Sequence, residues 1–283
     1  MLTQGHTRVE QTDMARKQPA WRFPEKDGFS RIAPEHHLSV VDSLPGMVVW
    51  PVILFALFIS FSTVVFVVWD AFSLNPDPAL LNTVIYAAST AAYGVMAIAM
   101  WAVWKEYGAQ RSAFSILPVK FSEIGMAILV LLFVITIGGR LSVMFHDFAM
   151  LDPTMTLAGG APPEDLTNVD DIALSGATLW AVVMLSVIAA PVVEEILFRG
   201  WMLPMLMARG VPTIFAILIS SAAFGLIHTP QGLLVMTTTF FLGVGLGIAR
   251  VVTGRVAAPV LGHMANNAWA VFVVPQLLEL TSG

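Results

Sequence analysis

The chain has 283 residues, 57% of them hydrophobic and only 12% charged, with a formal net charge of −5 and a mean hydropathy of +0.79. A water-soluble globule needs more polar surface than this to cover its core, so composition excludes that class and points to a membrane protein. Without a single cysteine, disulfide frameworks, thiolate metal sites and cysteine nucleophiles are excluded as well.

Residues 1–45 are polar, mixed in charge and interrupted by Pro and Gly, which reads as a flexible cytoplasmic tail whose His36 and His37 are solvated rather than metal-binding. A membrane-crossing helix takes about 20 mainly apolar residues. Uncharged runs of that kind lie at 47–69, 83–104, 172–193 and 256–278, and a shorter one at 124–139 continues past Arg140. The stretch 210–249 holds no Asp, Glu, Lys or Arg over 40 residues and is broken by Thr229-Pro230-Gln231-Gly232, so it reads as two spans joined by a tight turn. Seven spans are therefore expected.

Connectors 70–82 and 146–171 carry no basic residue and eight acidic ones between them, whereas 105–120 carries Lys105, Arg111 and Lys120 and the first 46 residues carry six basic side chains. The positive-inside rule then places the N-terminus in the cytoplasm, the acidic connectors outside, and Arg199, Arg209, Arg250 and Arg255 near the cytoplasmic face. The expected organisation is an all-α polytopic bundle: the tail, a three-helix membrane part over 46–145, an acidic extracytoplasmic loop over 146–171 and a second membrane domain over 172–283. No internal repeat is visible, which speaks against an inverted-repeat transporter. Gly243, Gly245 and Gly247 follow no strand and read as close helix packing rather than a nucleotide loop. Neither a nucleotide nor a nucleic acid is expected as a partner.

The chemistry is concentrated in the second membrane domain. Between 172 and 278 the only acidic residues are Glu194 and Glu195, the only histidines His228 and His263, and the only asparagines Asn266 and Asn267. A charge in the bilayer core costs at least about 2.5–3.5 kcal/mol, so such residues are functional candidates by default. One alone is more often an interhelical hydrogen bond; several at one depth are harder to dismiss. If the chain runs as one helix from about 174 to 208 and turns back at Arg209-Gly210-Val211-Pro212, Glu194 lies 17 residues before Val211 and His228 lies 17 after it, level in an antiparallel hairpin. Glu195 and Arg199 share a helix face and suit an ion pair, which leaves Glu194 pointing elsewhere. Phe224 and His228 share a face by the same spacing, as do His263 and Asn267, with Asn266 only slightly worse placed.

These residues form three patterns in order: Glu194-Glu195-Ile196-Leu197-Phe198-Arg199, Phe224-Gly225-Leu226-Ile227-His228 and His263-Met264-Ala265-Asn266-Asn267. They resemble the EExxxR, FxxxH and HxxxN motifs of the CPBP intramembrane proteases, which group the prenyl-protein CAAX-processing endopeptidase with bacterial bacteriocin-processing and Abi-type immunity proteins. The resemblance covers roughly 175–275. It implies that Glu194 is a general base activating a water with His228 helping to hold it, that His263 and Asn267 stabilise the oxyanion, and that Glu195 with Arg199 supports the first motif. The family is commonly labelled metalloprotease. One Glu and two His plus a water match a catalytic zinc site in type and number, with Glu194, His228 and His263 as its ligands. Zinc therefore stays open, although a Glu194 ligand would leave only Glu195 as base, on the face assigned to Arg199.

The expected function is hydrolysis of a peptide bond by a glutamate-activated water, acting on a peptide or protein substrate that is membrane-associated or prenylated, in a bacterial cytoplasmic membrane among lipid partners. A non-catalytic immunity or scaffold protein on the same fold is the first alternative, and a transporter or proton relay the second.

Overall fold

A computed structural model of the protein describes residues 32, 44–71, 78–106, 113–150 and 176–282. Most of the expected tail and acidic loop, with His36, His37 and Arg111, lies outside them. The described residues are helical with no strand: α1 (Leu44–Ala71), α2 (Pro78–Glu106), α3 (121–150), α4 (Gly176–Ala208), α5 (Thr213–Leu226), α6 (Leu233–Thr253), α7 (Ala257–Phe272) and α8 (Val274–Ser282). Long apolar helices satisfy their own backbone hydrogen bonds, which is what a bilayer demands, and α1 and α4 continue through Pro51, Pro191 and Pro204.

Five of these helices, α1 to α4 and α6, are long and apolar enough to cross a membrane. The count differs from the seven expected, because α5 has 14 residues and α7 has 16. At about 1.5 Å per residue neither reaches across a roughly 30 Å hydrocarbon layer. The two anticipated turns fall where the sequence places them: Gly210 and Gly232 have φ of 80° and 96°, a backbone that a side chain opposes. The connector expected over 146–171 starts later than its composition suggests, since α3 continues to Met150. Wider π turns interrupt α3 at Val134–Gly138 and α4 at Val183–Ala189 and Ile196–Met202; no sequence period announces them.

The site is positioned by two packing arrangements. In the first, α5 and α6 pair antiparallel through glycine: a Cβ on Gly225 would stand 2.9 Å from Met236 O, one on Gly243 3.0 Å from Ser221 Cβ, and one on Gly247 2.9 Å from Ile217 Cγ2. Gly245 and Gly262 likewise admit Phe133 and Val130 of α3, so the small residues of α6 serve packing, as expected. In the second, α2 lies parallel to α4. Thr83 meets Thr178 at 2.8 Å, Tyr93 meets Glu194 at 2.7 Å, and the indoles of Trp104 and Trp201 stack with centroids 4.3 Å apart. The pairs follow one another in the same direction along both helices. At the far end, Arg255 forms an ion pair with Glu123 at 3.2 Å and donates to Ile116 O and Pro118 O, tying the start of α7 to the segment before α3.

Candidate active site

In α4, Glu194 and Glu195 are both buried, yet adjacent positions on a helix point in different directions, and the two carboxylates enter different surroundings. Glu195 Oε1 accepts from Arg199 Nη1 at 2.9 Å and from His263 Nδ1 at 2.9 Å. Arg199 also donates from Nη2 to Gly243 O at 3.0 Å, its own carbonyl accepts from Arg250 Nε at 2.9 Å, and its guanidinium lies 4.4 Å over the Phe224 ring. All three charged side chains, Glu195, Arg199 and Arg250, are fully buried. Glu195 and Arg199 persist at such depth as an ion pair, and Arg250 is held there by the Arg199 carbonyl. The Glu195–Arg199 pair is the one the i, i+4 spacing predicts. The His263 bond to it is new, and because the carboxylate can only accept, Nδ1 of His263 carries the proton and Nε2 is left for other contacts.

Glu194 faces a cavity of about 700 Å3 that Tyr86, Tyr93, His228, His263, Asn266 and Asn267 also line. Its Oε1 accepts from Tyr93 Oη at 2.7 Å, and Oε2 has no hydrogen bond to the described residues. His228 stands just past the end of α5 rather than within it as expected. Pro230, two residues on, has no N–H to continue the helix, and His228 N instead closes a tighter turn on Gly225 O at 2.9 Å. Its Nδ1 donates to Phe224 O at 2.8 Å; a carbonyl only accepts, so here too Nε2 is the open nitrogen. Phe224, fully buried, presents its ring to both imidazoles edge to face, 5.1 Å from His228 and 5.4 Å from His263. Asn267 Nδ2 donates to Ser186 O at 2.8 Å and Oδ1 accepts from Asn266 at 3.2 Å. Ser186 belongs to the first π turn of α4, where the regular ladder of backbone bonds is interrupted.

The structure thus brings Glu194, His228, His263, Asn266 and Asn267 to one cavity, and holds Glu195, Arg199 and Phe224 behind it. Sequence reasoning missed Tyr93, the direct partner of Glu194. The available signal was faint: the chain has three tyrosines, two of them seven apart on one face of α2 and both on the cavity wall. For the zinc left open by the sequence, the fit is poor. Among the described residues no three His, Cys, Asp or Glu side chains are grouped closely enough to hold a metal ion.

The family model of the type II CAAX prenyl endopeptidase Rce1-like matches residues 176–269. This helical block is similar to that family. The match begins with α4 and ends within α7, so it contains all three motifs. It supports, at family level, a membrane-embedded endopeptidase acting on a peptide or protein. No curated protein and no solved structure matches the chain. The family-matched block makes only part of the cavity, whose wall is completed by Pro51 and Leu54 of α1 and by Tyr86 and Tyr93 of α2.

Proposed function

We propose that the chain hydrolyses a peptide bond within the bilayer and that Glu194 is the general base. A water between Glu194 and His228 attacks the scissile carbonyl carbon; its oxygen forms the new bond to carbon while its proton passes to Glu194. The negative charge gathers on the carbonyl oxygen, opposite Asn267, whose second Nδ2–H can donate to it, and His263, which donates from Nε2 when both ring nitrogens carry a proton. As the C–N bond breaks, the proton held by Glu194 goes to the leaving amine. Glu195 and Arg199 orient His263, and no metal takes part in any step. The observation that carries this reading is the different surroundings of the two carboxylates: Glu195 is fully buried with Arg199 and His263 on Oε1, while Glu194 lines the cavity with Tyr93 alone on Oε1 and Oε2 unengaged.

The test is Glu194→Gln in purified protein reconstituted into liposomes, assayed on a prenylated CAAX-type peptide and, by mass spectrometry, on a mixture of unmodified peptides. A fall of about 10²–10⁴-fold in turnover at unchanged thermal stability is expected for loss of a general base. Full activity in that variant refutes the assignment. Zinc bound stoichiometrically to the wild type, and lost together with activity, refutes the metal-free step. Unaltered phenotype in the absence of any cleavage favours the scaffold alternative.

A further inference from the structure

Tyr93 lies outside the block that matches the family and beyond every motif in the sequence, yet among the described residues its hydroxyl makes the hydrogen bond to the Glu194 carboxylate. The helix carrying it is fixed. Ala92, Met96, Met100 and Trp104 of α2 are all fully buried, Trp104 stacks on Trp201 of α4 with planes 4° from parallel, and Thr83 bonds Thr178 near the starts of the two helices. The phenol is therefore delivered to Glu194 between two anchoring contacts, one on either side of it along α2.

A carboxylate on an apolar helix has two equivalent oxygens and a freely turning terminal bond. A donor fixed on one oxygen removes that freedom and selects which oxygen meets the cavity. Tyr93 Oη occupies Oε1, which leaves Oε2 as the oxygen that meets a water. Glu195 repeats the same arrangement, one oxygen taking its donors at 2.9 Å. We propose that Tyr93 is a positioning residue for the hydrolytic reaction, holding Glu194 by Oε1 so that Oε2 receives the proton of the attacking water. The inference rests on the general-base reading of Glu194 and extends the site to a helix of the N-terminal half. It further implies that the family-matched block is catalytically incomplete without α2.

The experiment compares Tyr93→Phe, Glu194→Gln and Thr83→Val in full-length protein in liposomes, with the prenylated CAAX-type peptide and the peptide mixture as probes. Tyr93→Phe keeps the ring and removes one hydroxyl. A hydrogen bond to a charged group lost from the reacting carboxylate is expected to lower kcat by about 10–100-fold, with KM within about twofold because the phenol does not touch substrate. Thr83→Val removes one of the two anchoring contacts but leaves the phenol in place, and is expected to lower kcat less than Tyr93→Phe does. Glu194→Gln inactive with Tyr93→Phe fully active overturns the positioning role alone. Glu194→Gln active, or no cleavage by the wild type, overturns the general-base reading and this inference with it. A rise in KM without a fall in kcat makes Tyr93 a substrate-binding wall residue and likewise overturns the proposal. Should Tyr93→Phe prove too unstable to assay, its Tm is compared in the wild-type and Glu194→Met backgrounds. Loss of Tm only where Glu194 is present supports the contact, and equal loss in both refutes it.

Discussion

Arg199 shows how much of the site depends on one buried cation. It pairs with Glu195, reaches Gly243 O and lies over Phe224, so its removal strands a carboxylate with no exposure to solvent. Arg199→Met is expected to cost about 3–5 kcal/mol, the usual penalty for breaking a buried pair from one side. Replacing both partners, Glu195→Met with Arg199→Met, should recover most of that stability, since apolar residues of similar volume substitute well for buried ion pairs. Activity should not return, because His263 Nδ1 has lost its acceptor. Thermal unfolding and peptide cleavage measured on the three variants separate the two effects, and a double variant that cuts peptide would show that Glu195 has no part in placing His263. These residues were legible in the sequence because a charge in an apolar run costs enough to need a reason. Tyr93 was not legible, because a tyrosine in a membrane helix is unremarkable by type and only its partner gives it meaning.

At the level of the helices, the turns could be read from the sequence and the register of the long helices could not. Glycine at 210 and 232 announces a reversal through backbone sterics, and proline at 230 ends α5 by removing a donor. The π turns of α4 depend on which neighbours compete for its carbonyls, as Asn267 does for Ser186 O, and this is a tertiary matter. Five long helices among the described residues, beside the seven spans expected, have a related reason: apolar composition marks a segment as buried in lipid or protein without saying which, and α7 is buried on Ala257 to Val260, Gly262 and His263 by its neighbours. Glycine packing offers a graded test. An alanine Cβ at Gly243 would stand 2.9 Å from Arg199 Nη2 and 3.1 Å from Ser221 Cα. Gly243→Ala should therefore destabilise by about 1–3 kcal/mol through overpacking and reduce cleavage by displacing Arg199. Gly94→Ala, in α2 with nothing within 4 Å of the new atom, should be neutral or stabilising by up to about 1 kcal/mol through helix propensity. Thermal melts of the two variants side by side check the pair, and a tolerated Gly243→Ala would mean that α5 and α6 do not pack as closely as these distances require.

For the molecule as a whole, the proposed catalytic residues lie in one half of the sequence while the cavity wall comes from both. No spacing within either half reports on the other, so how α1 and α2 pack against the family-matched block had to come from the structure. The three pairs 83 with 178, 93 with 194 and 104 with 201 set α2 parallel to α4, and parallel neighbours require a third helix to cross back between them, which α3 does. The absence of native cysteine makes this arrangement directly testable. Thr83→Cys with Thr178→Cys places two thiols where the hydroxyl oxygens are now 2.8 Å apart, close to the spacing a disulfide needs. With a protease site inserted in the 151–175 connector, oxidation should keep the two cleaved fragments together on a denaturing gel, and reduction should separate them. A control pair, Thr83→Cys with Thr213→Cys of α5, should not cross-link. The oxidised, cleaved protein should still hydrolyse peptide, because the covalent link reinforces a contact the fold already makes and leaves Tyr93 facing Glu194. Fragments that separate without reduction would mean that α2 does not lie along α4, and the cavity would then lose the wall on which Tyr93 is carried.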